Sequence, residues 1–205
     1  MPGLIGRKVG MTRIFDADGV QVPVTVIEAG PCPIVQVKSL GSNGGRAMQL
    51  GLGVKKAARA PKAEVGHAAK AGLQAAPGIL RDFRVSENEE IEVGQRLTVQ
   101  QFEAGDRVKV TGQSKGRGFQ GVVKRHGFTG RPGGHGHPLE RNPGSIGPGT
   151  NPSRVIKGKK LPGRMGGTRT SVRNIQVVRV DSERNLLFVK GGVPGARDGY
   201  VLISK

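Results

Sequence analysis

Between Arg107 and Arg173 the chain carries fifteen Lys or Arg against one acid, Glu140, and 22 of these 67 positions are Gly or Pro. No fold can bury such a segment on itself: it lacks the apolar side chains for a core, and its charges repel one another. Its centre, His126–Ser153, is more extreme, with eight Gly and five Pro in 28 residues and neither a helical nor a strand period. A structureless stretch of that length inside a compact domain is either disordered or functional. Its chemistry suits one task, bringing bare backbone and cationic side chains against phosphates. The chain therefore divides into a body, residues 1–106 and 174–205, and a basic extension, 107–173, with an irregular tip at 126–153.

The extension holds most of the charge. The chain has a net charge of +18 and a pI near 11.1. The segment supplies +14 of it, leaving +4 for the other 138 residues. A polyanionic partner relieves that repulsion, and nucleic acid is the first candidate. A membrane surface fits poorly. No apolar run approaches the roughly 18 residues of a spanning helix, and the cations sit among Gly and Pro rather than along an amphipathic helix. Cys32 is the only cysteine, so no intramolecular disulfide can form. Arg7 and Lys8 are not followed by an apolar signal core, and no Arg- and Ser-rich leader is seen, so a cytoplasmic location is expected.

The body reads as β. Val20, Val22, Val24 and Val26 alternate with Gln21, Pro23 and Thr25, the period of a half-buried strand. Asp16-Ala17-Asp18-Gly19 is turn chemistry, making Thr12–Phe15 the partner strand of a hairpin. Further strands are expected at 34–38, 47–52, 79–85, 97–102 and 107–111, with a loop at Gly41-Ser42-Asn43-Gly44-Gly45. Residues 175–180 and 186–190 flank the hairpin loop Asp181–Asn185, and 200–204 form a last strand. With aromatics at 3% and no Trp, the core must come mainly from Val, Ile, Leu and Ala. Val22, Val24, Val26, Ile175, Val177 and Leu187 are its expected members. The alanine-rich stretch 55–76 reads as an insertion able to form one or two short helices. The fold class expected is mainly β: a small β-barrel body, a long irregular extension and that short insertion.

Several motifs suggest other chemistry. Gly116-Arg117-Gly118-Phe119-Gln120-Gly121 has the Gly-x-Gly-x-x-Gly spacing of a dinucleotide site, but that fingerprint needs a helix opening at the third glycine within a βαβ unit. The chain reaches Gly127, Gly130 and Pro132 almost at once. A nucleotide-dependent enzyme would require a helix after Gly121. His126, His135 and His137 cluster with Glu140, but a structural zinc site wants four ligands, usually with thiolates, and Cys32 is far away in sequence. That cysteine lies between Pro31 and Pro33 with no nearby base, and no Gly-x-Ser-x-Gly elbow occurs. No catalytic residue, metal, cofactor or small-molecule substrate is expected.

The cations carry the binding reading. Lys157, Lys159 and Lys160 form a short run, preceded by Arg154 and followed by Arg164 and Arg169. Upstream stand Lys115, Arg117, Lys124, Arg125 and His126, and the tip adds Arg131, His135, His137 and Arg141. Interspersed glycines let backbone N–H groups reach phosphate oxygens, and Arg adds bidentate contacts and base stacking. With no recognition helix, zinc finger or zipper to enter a major groove, RNA is favoured over DNA. A DNA-compacting protein remains distinguishable by competition with duplex DNA, and a free regulatory protein by its lack of a collinear family match.

Such a match runs along the chain. It comprises Gly3–Thr12, Val24–Cys32, the central Thr111-Gly112-Gln113-Ser114-Lys115-Gly116-Arg117-Gly118-Phe119-Gln120-Gly121-Val122, then Pro143–Gly147, Lys157–Gly163 and Val189–Gly195. In these stretches the sequence resembles the family of bacterial large-subunit ribosomal protein three. The resemblance implies a β-barrel body on the subunit surface and an extension whose tip approaches the peptidyl-transferase region. It also implies direct binding near the 3′ end of the large-subunit rRNA, an early role in assembly, and contacts with ribosomal proteins fourteen and nineteen. Many relatives carry a glutamine after Gly-Ser-Ile-Gly, methylated in some bacteria. This chain has Pro148 there, which excludes that modification.

Overall fold

The computed structural model describes residues 3–16, 18–40, 45–86 and 91–205. Alternating apolar residues with a turn between them give the first hairpin, β1 (Gly3–Phe15) against β2 (Gln21–Ala29). Gly19 adopts φ +75° in the connection, and its N–H donates to the Asp16 carbonyl at 2.9 Å. Ala17 of the expected tetrad lies outside the described residues, as do Gly41–Gly44 of the next loop.

The chain then leaves this hairpin to build a second sheet from β3 (Cys32–Leu40), β4 (Gly45–Val54), β5 (Pro77–Val85) and β6 (Arg96–Leu97), in the order β5-β4-β3-β6. It returns through β7 (Arg107–Gln113). A short antiparallel pair follows, β8 (Phe119–Gln120) with β9 (Gly163–Arg164). The last strands are β10 (Arg169–Asp181), β11 (Leu186–Lys190) and β12 (Tyr200–Ser204). Six strands close a barrel in the order β1-β12-β7-β10-β11-β2, with every neighbouring pair antiparallel. The chain is thus mainly β with a closed barrel, as the alternation and turn spacing imply, and the separate four-stranded sheet is an addition to that expectation.

Two local expectations need correction. Residues 97–102 do not form a strand: only Arg96–Leu97 pairs with β3, and Val99–Gln101 turns into a 3-10 helix that buries Val99. Of the valines in the first alternation, Val24 is fully buried, Val22 and Val26 are half-buried and Val20 is 61% exposed. The register instead sets Thr25 and Ile27 beside Val189 and Leu187, all four fully buried. Alternation shows that the two faces of a strand differ, but both faces of β2 are partly covered here. Ile175, Val177 and Leu187 are buried as expected.

The core is aliphatic. Leu4, Ile5, Ile27, Val108, Val110 and Ile203 of the barrel strands belong to one buried cluster with Ile34, Met48, Leu50 and Phe83 of the second sheet. Cys32 is buried, its thiol donates to the Ile5 carbonyl at 3.3 Å, and burial pushes its pKa up to about 11. Such a thiol is inert near neutrality.

The alanine-rich insertion forms a 3-10 turn (Ala57–Arg59) and one short helix, α1 (Lys62–Ala69). It is closed by Lys55 N–H donating to the Ala76 carbonyl at 2.8 Å and pinned by Lys55–Glu64 (2.5 Å) and His67–Gln49 (2.8 Å).

The contacts divide the chain into two units. One comprises residues up to Gln113 and from Arg169, the other Ser114–Thr168. The strands β7 and β10 therefore keep Arg107–Gln113 and Arg169–Arg173 within the body, although the charge count alone groups them with the extension.

Candidate nucleic-acid interface

Ser114–Thr168 holds eleven Lys or Arg and one acid, and Val122 is its only buried residue. Its backbone is nevertheless ordered by hydrogen bonds. Ser114 N–H donates to Thr168 O (2.9 Å), Arg117 N–H to Met165 O (2.9 Å) and Met165 N–H to Gly118 O (2.9 Å), forming a narrow ribbon with the β8–β9 pair. Lys115, Arg117 and Arg164 lie exposed on it. Phe119, directly across from Arg164, is 75% exposed. Sequence reasoning passed over this residue, although an aromatic next to a glycine and among cations is a signal of a base-stacking platform.

Beyond the ribbon, α2 (Val122–His126) begins immediately after Gly121. A helix therefore does follow the third glycine of the Gly-x-Gly-x-x-Gly run, contrary to the reading of the sequence. It lasts five residues and stops at Gly127, which takes φ +71° and donates its N–H to the Val123 carbonyl at 3.0 Å. The strand before it pairs antiparallel with β9, so the βαβ context of a dinucleotide site is not met.

Lys124 is exposed, while Arg125 and His126 are half-buried. Arg125 Nη1 donates to the Leu161 carbonyl at 2.7 Å, and His126 Nε2 reaches the same oxygen at 3.1 Å. A carbonyl only accepts, so this ring nitrogen carries the proton. Gly163 leaves room for this guanidinium: a Cβ there would lie 2.6 Å from Arg125 Nη1 and push the side chain aside. The His126 and Phe128 rings stand 6.2 Å apart, tilted by 45°. With Arg131, Asn142 and Lys160 they line an open cleft of about 710 Å³. A cleft with two rings and two cations on its wall can take a base and its phosphate together.

The rest of the tip is exposed backbone. Arg131 N–H donates to the Glu140 carbonyl at 2.9 Å, and Gly130 suits this approach twice over, with φ +78° and with no Cβ, which would lie 2.7 Å from that oxygen. His135, Arg141, Arg154, Lys157, Lys159 and Lys160 are exposed, and His137 Nδ1 accepts the Leu139 N–H at 3.2 Å. Among the described residues no three His, Cys, Asp or Glu side chains gather as a metal site would require. Arg169 stands apart from the other fourteen candidate residues, being the first residue of β10 in the body.

The sequence profile of Ribosomal protein L3 matches residues 78–188. The "Large ribosomal subunit protein uL3" of Thioalkalivibrio sulfidiphilus is 53% identical over 204 residues, covering 98% of this chain and 95% of that protein. The protein of the same name from Pseudoalteromonas translucida is 54% identical over 203 residues, covering 98% and 96%. The chain belongs to the ribosomal protein L3 family. As a member it is a structural constituent of the large ribosomal subunit that serves translation on the cytoplasmic ribosome, and it is not an enzyme. For an L3 protein the acid-poor unit just described needs no catalytic group.

Proposed function

We propose that this chain binds the large-subunit rRNA directly, near its 3′ end, through the unit Ser114–Thr168 and the adjoining Arg169. Binding there nucleates early subunit assembly, and the tip 126–153 supports the peptidyl-transferase region. Ribosomal proteins fourteen and nineteen are its proposed protein neighbours. The observation that carries the reading is the single buried side chain among 55 residues bearing eleven cations. Such a unit gains almost nothing from apolar burial, so its ordered state is best used when a polyanion neutralises it and fills the gaps. Lys supplies point charge, Arg planar bidentate contacts, and His126, Phe128 and Phe119 offer rings to unpaired bases.

Salt titration of binding to an rRNA fragment tests this. Each phosphate contact contributes roughly −0.7 to −0.9 to the slope of log K against log salt. Replacing Lys157, Lys159 and Lys160 together by Gln should flatten the slope by about two to three. An unchanged slope would remove this run from the interface.

A further inference from the structure

The barrel carries a second cationic surface that no stretch of sequence displays as one. Strands β12, β7, β10 and β11 are consecutive neighbours in the barrel, though the whole of Ser114–Thr168 separates β7 from the other three in the chain. Together they contain one acid, Asp181, at the last position of β10. They present Arg107, Lys109, Arg169, Arg173, Arg179 and Lys190, all exposed. In β7 the valines at 108 and 110 are buried while Arg107 and Lys109 alternate with them, so the cations share the outer face. In β10 the register shift between Val172 and Ile175 puts Arg173 and Asn174 opposite Lys109. From Arg169 to Arg179 the track spans about 33 Å at roughly 3.3 Å per residue.

Of the carboxylates nearest this face, Asp106 is paired with a cation off it and Asp181 is turned to a backbone N–H. Asp106, just before β7, accepts from Lys205 Nζ at 2.6 Å and from the Glu103 N–H at 3.0 Å. Asp181 accepts the Arg184 N–H at 3.1 Å, and Glu183 sits in the turn beyond it. Among the described residues no ion pair joins any of the six cations to a carboxylate, whereas Arg7, Lys38 and Lys55 on other elements each hold one. Two of the six are held in place by neutral partners. Arg107 Nη1 donates to Asn174 Oδ1 at 3.1 Å, with Asn174 at φ +60°, and the Arg179 guanidinium lies 5.9 Å from the centre of the Phe188 ring. Between the arginines, Ser171 and Thr111 share a hydroxyl hydrogen bond of 2.8 Å. Exposed cations left without carboxylates, on a rigid sheet, suit a sugar–phosphate backbone, which needs regularly spaced positive charge and no apolar pocket.

We propose that the outer face of the β7–β10 pair, extended by β11, is a second RNA-backbone contact on the body, separate from the irregular unit. It deepens the reading of this chain as a direct rRNA binder and names a surface of which that reading uses Arg169 alone. The test employs the full-length protein and an rRNA fragment. Lys109→Gln, Arg173→Gln and Arg179→Gln combined should flatten the salt slope by about two to three. The charge-preserving pair Arg173→Lys and Arg179→Lys should keep the wild-type slope. If the triple variant melts early, the single Lys109→Gln variant decides, with an expected flattening of about 0.7 to 0.9. Amine-reactive labelling of the wild-type complex provides a reading free of mutation: Lys109 and Lys190 should be shielded by RNA, while Lys38, paired with Asp82, should label as in free protein. An unaltered slope, or a Lys109 labelled equally with and without RNA, overturns the proposal. So does shielding of Lys109 in whole subunits but not by rRNA alone, which would assign the face to a protein neighbour. Failure of the irregular unit to bind would instead appear only in the Lys157, Lys159 and Lys160 variant, so the two readings fall separately.

Discussion

Val24 is fully buried in β2, and its backbone is paired on one side with Thr12 and on the other with Lys190. A carboxylate at this position would lose its water and find no cation within the core. Val24→Asp should cost about 3 kcal/mol or more, seen as a fall in melting temperature of roughly 6–12 °C. An unchanged melt would mean that the site opens to solvent. Gly6 limits the barrel in the opposite sense: a Cβ there would sit 2.6 Å from Ile27 Cγ2 and 3.0 Å from the Glu28 carbonyl. Gly6→Ala should destabilise the body by about 1–3 kcal/mol through overpacking, measured by denaturant midpoint. The sequence marks Val24 for the core through simple alternation. It gives no sign that Thr25 shares the interior, because the hydroxyl's partner, the Gly191 carbonyl at 2.6 Å, lies 166 positions away.

Among the elements, the tip 126–153 and the strand pair β7–β10 behave in opposite ways. The tip contains no buried residue, so folding of the body gains little from it. Replacing it by a short Gly-Ser linker should change stability by no more than the ~0.5 kcal/mol expected of surface changes, read as a nearly unchanged melting temperature. The same replacement should permit initial rRNA binding through the remaining cations but slow subunit maturation or impair peptide transfer. Ribosomes that assemble and translate normally without the tip would remove its supporting role. Glycine, proline and charge make this element legible from sequence, since no other composition so firmly prevents self-packing. The limits of β7 and β10 were not legible. Arg169–Arg173 reads as part of the basic segment, yet its backbone ladder with Val110–Gln113 draws it into the barrel. Hydrogen bonding to a distant strand overrides local composition there.

For the molecule as a whole, acid should act through two carboxylates. Burial pushes the Asp82 pKa up, but hydrogen bonds from Lys38 (2.9 Å) and Gln49 (3.0 Å) outweigh it and leave the pKa below the ordinary value. Hydrogen bonds from Lys205 and the Glu103 N–H likewise lower that of Asp106. A depressed pKa contributes stability above the ordinary carboxylate value, and that stability is lost as pH falls through the folded-state value. The melting temperature of the Asp82→Asn, Asp106→Asn variant should therefore lie below wild type at pH 7, with the gap closing below about pH 4. A gap that persists at pH 2 would show that the loss comes from packing rather than ionisation. The amino-acid sequence by itself determined the β character of the body, the presence of a segment that cannot bury itself, and the sign of the partner's charge. These follow from period, composition and net charge, which are sums over neighbours in the chain. Only the tertiary structure decided which strands close the barrel, that four others form a separate sheet, and that the cations of β7, β10 and β11 lie together on an acid-poor face. Strand order is set by hydrogen bonds between residues up to about 200 positions apart, and no local pattern records them.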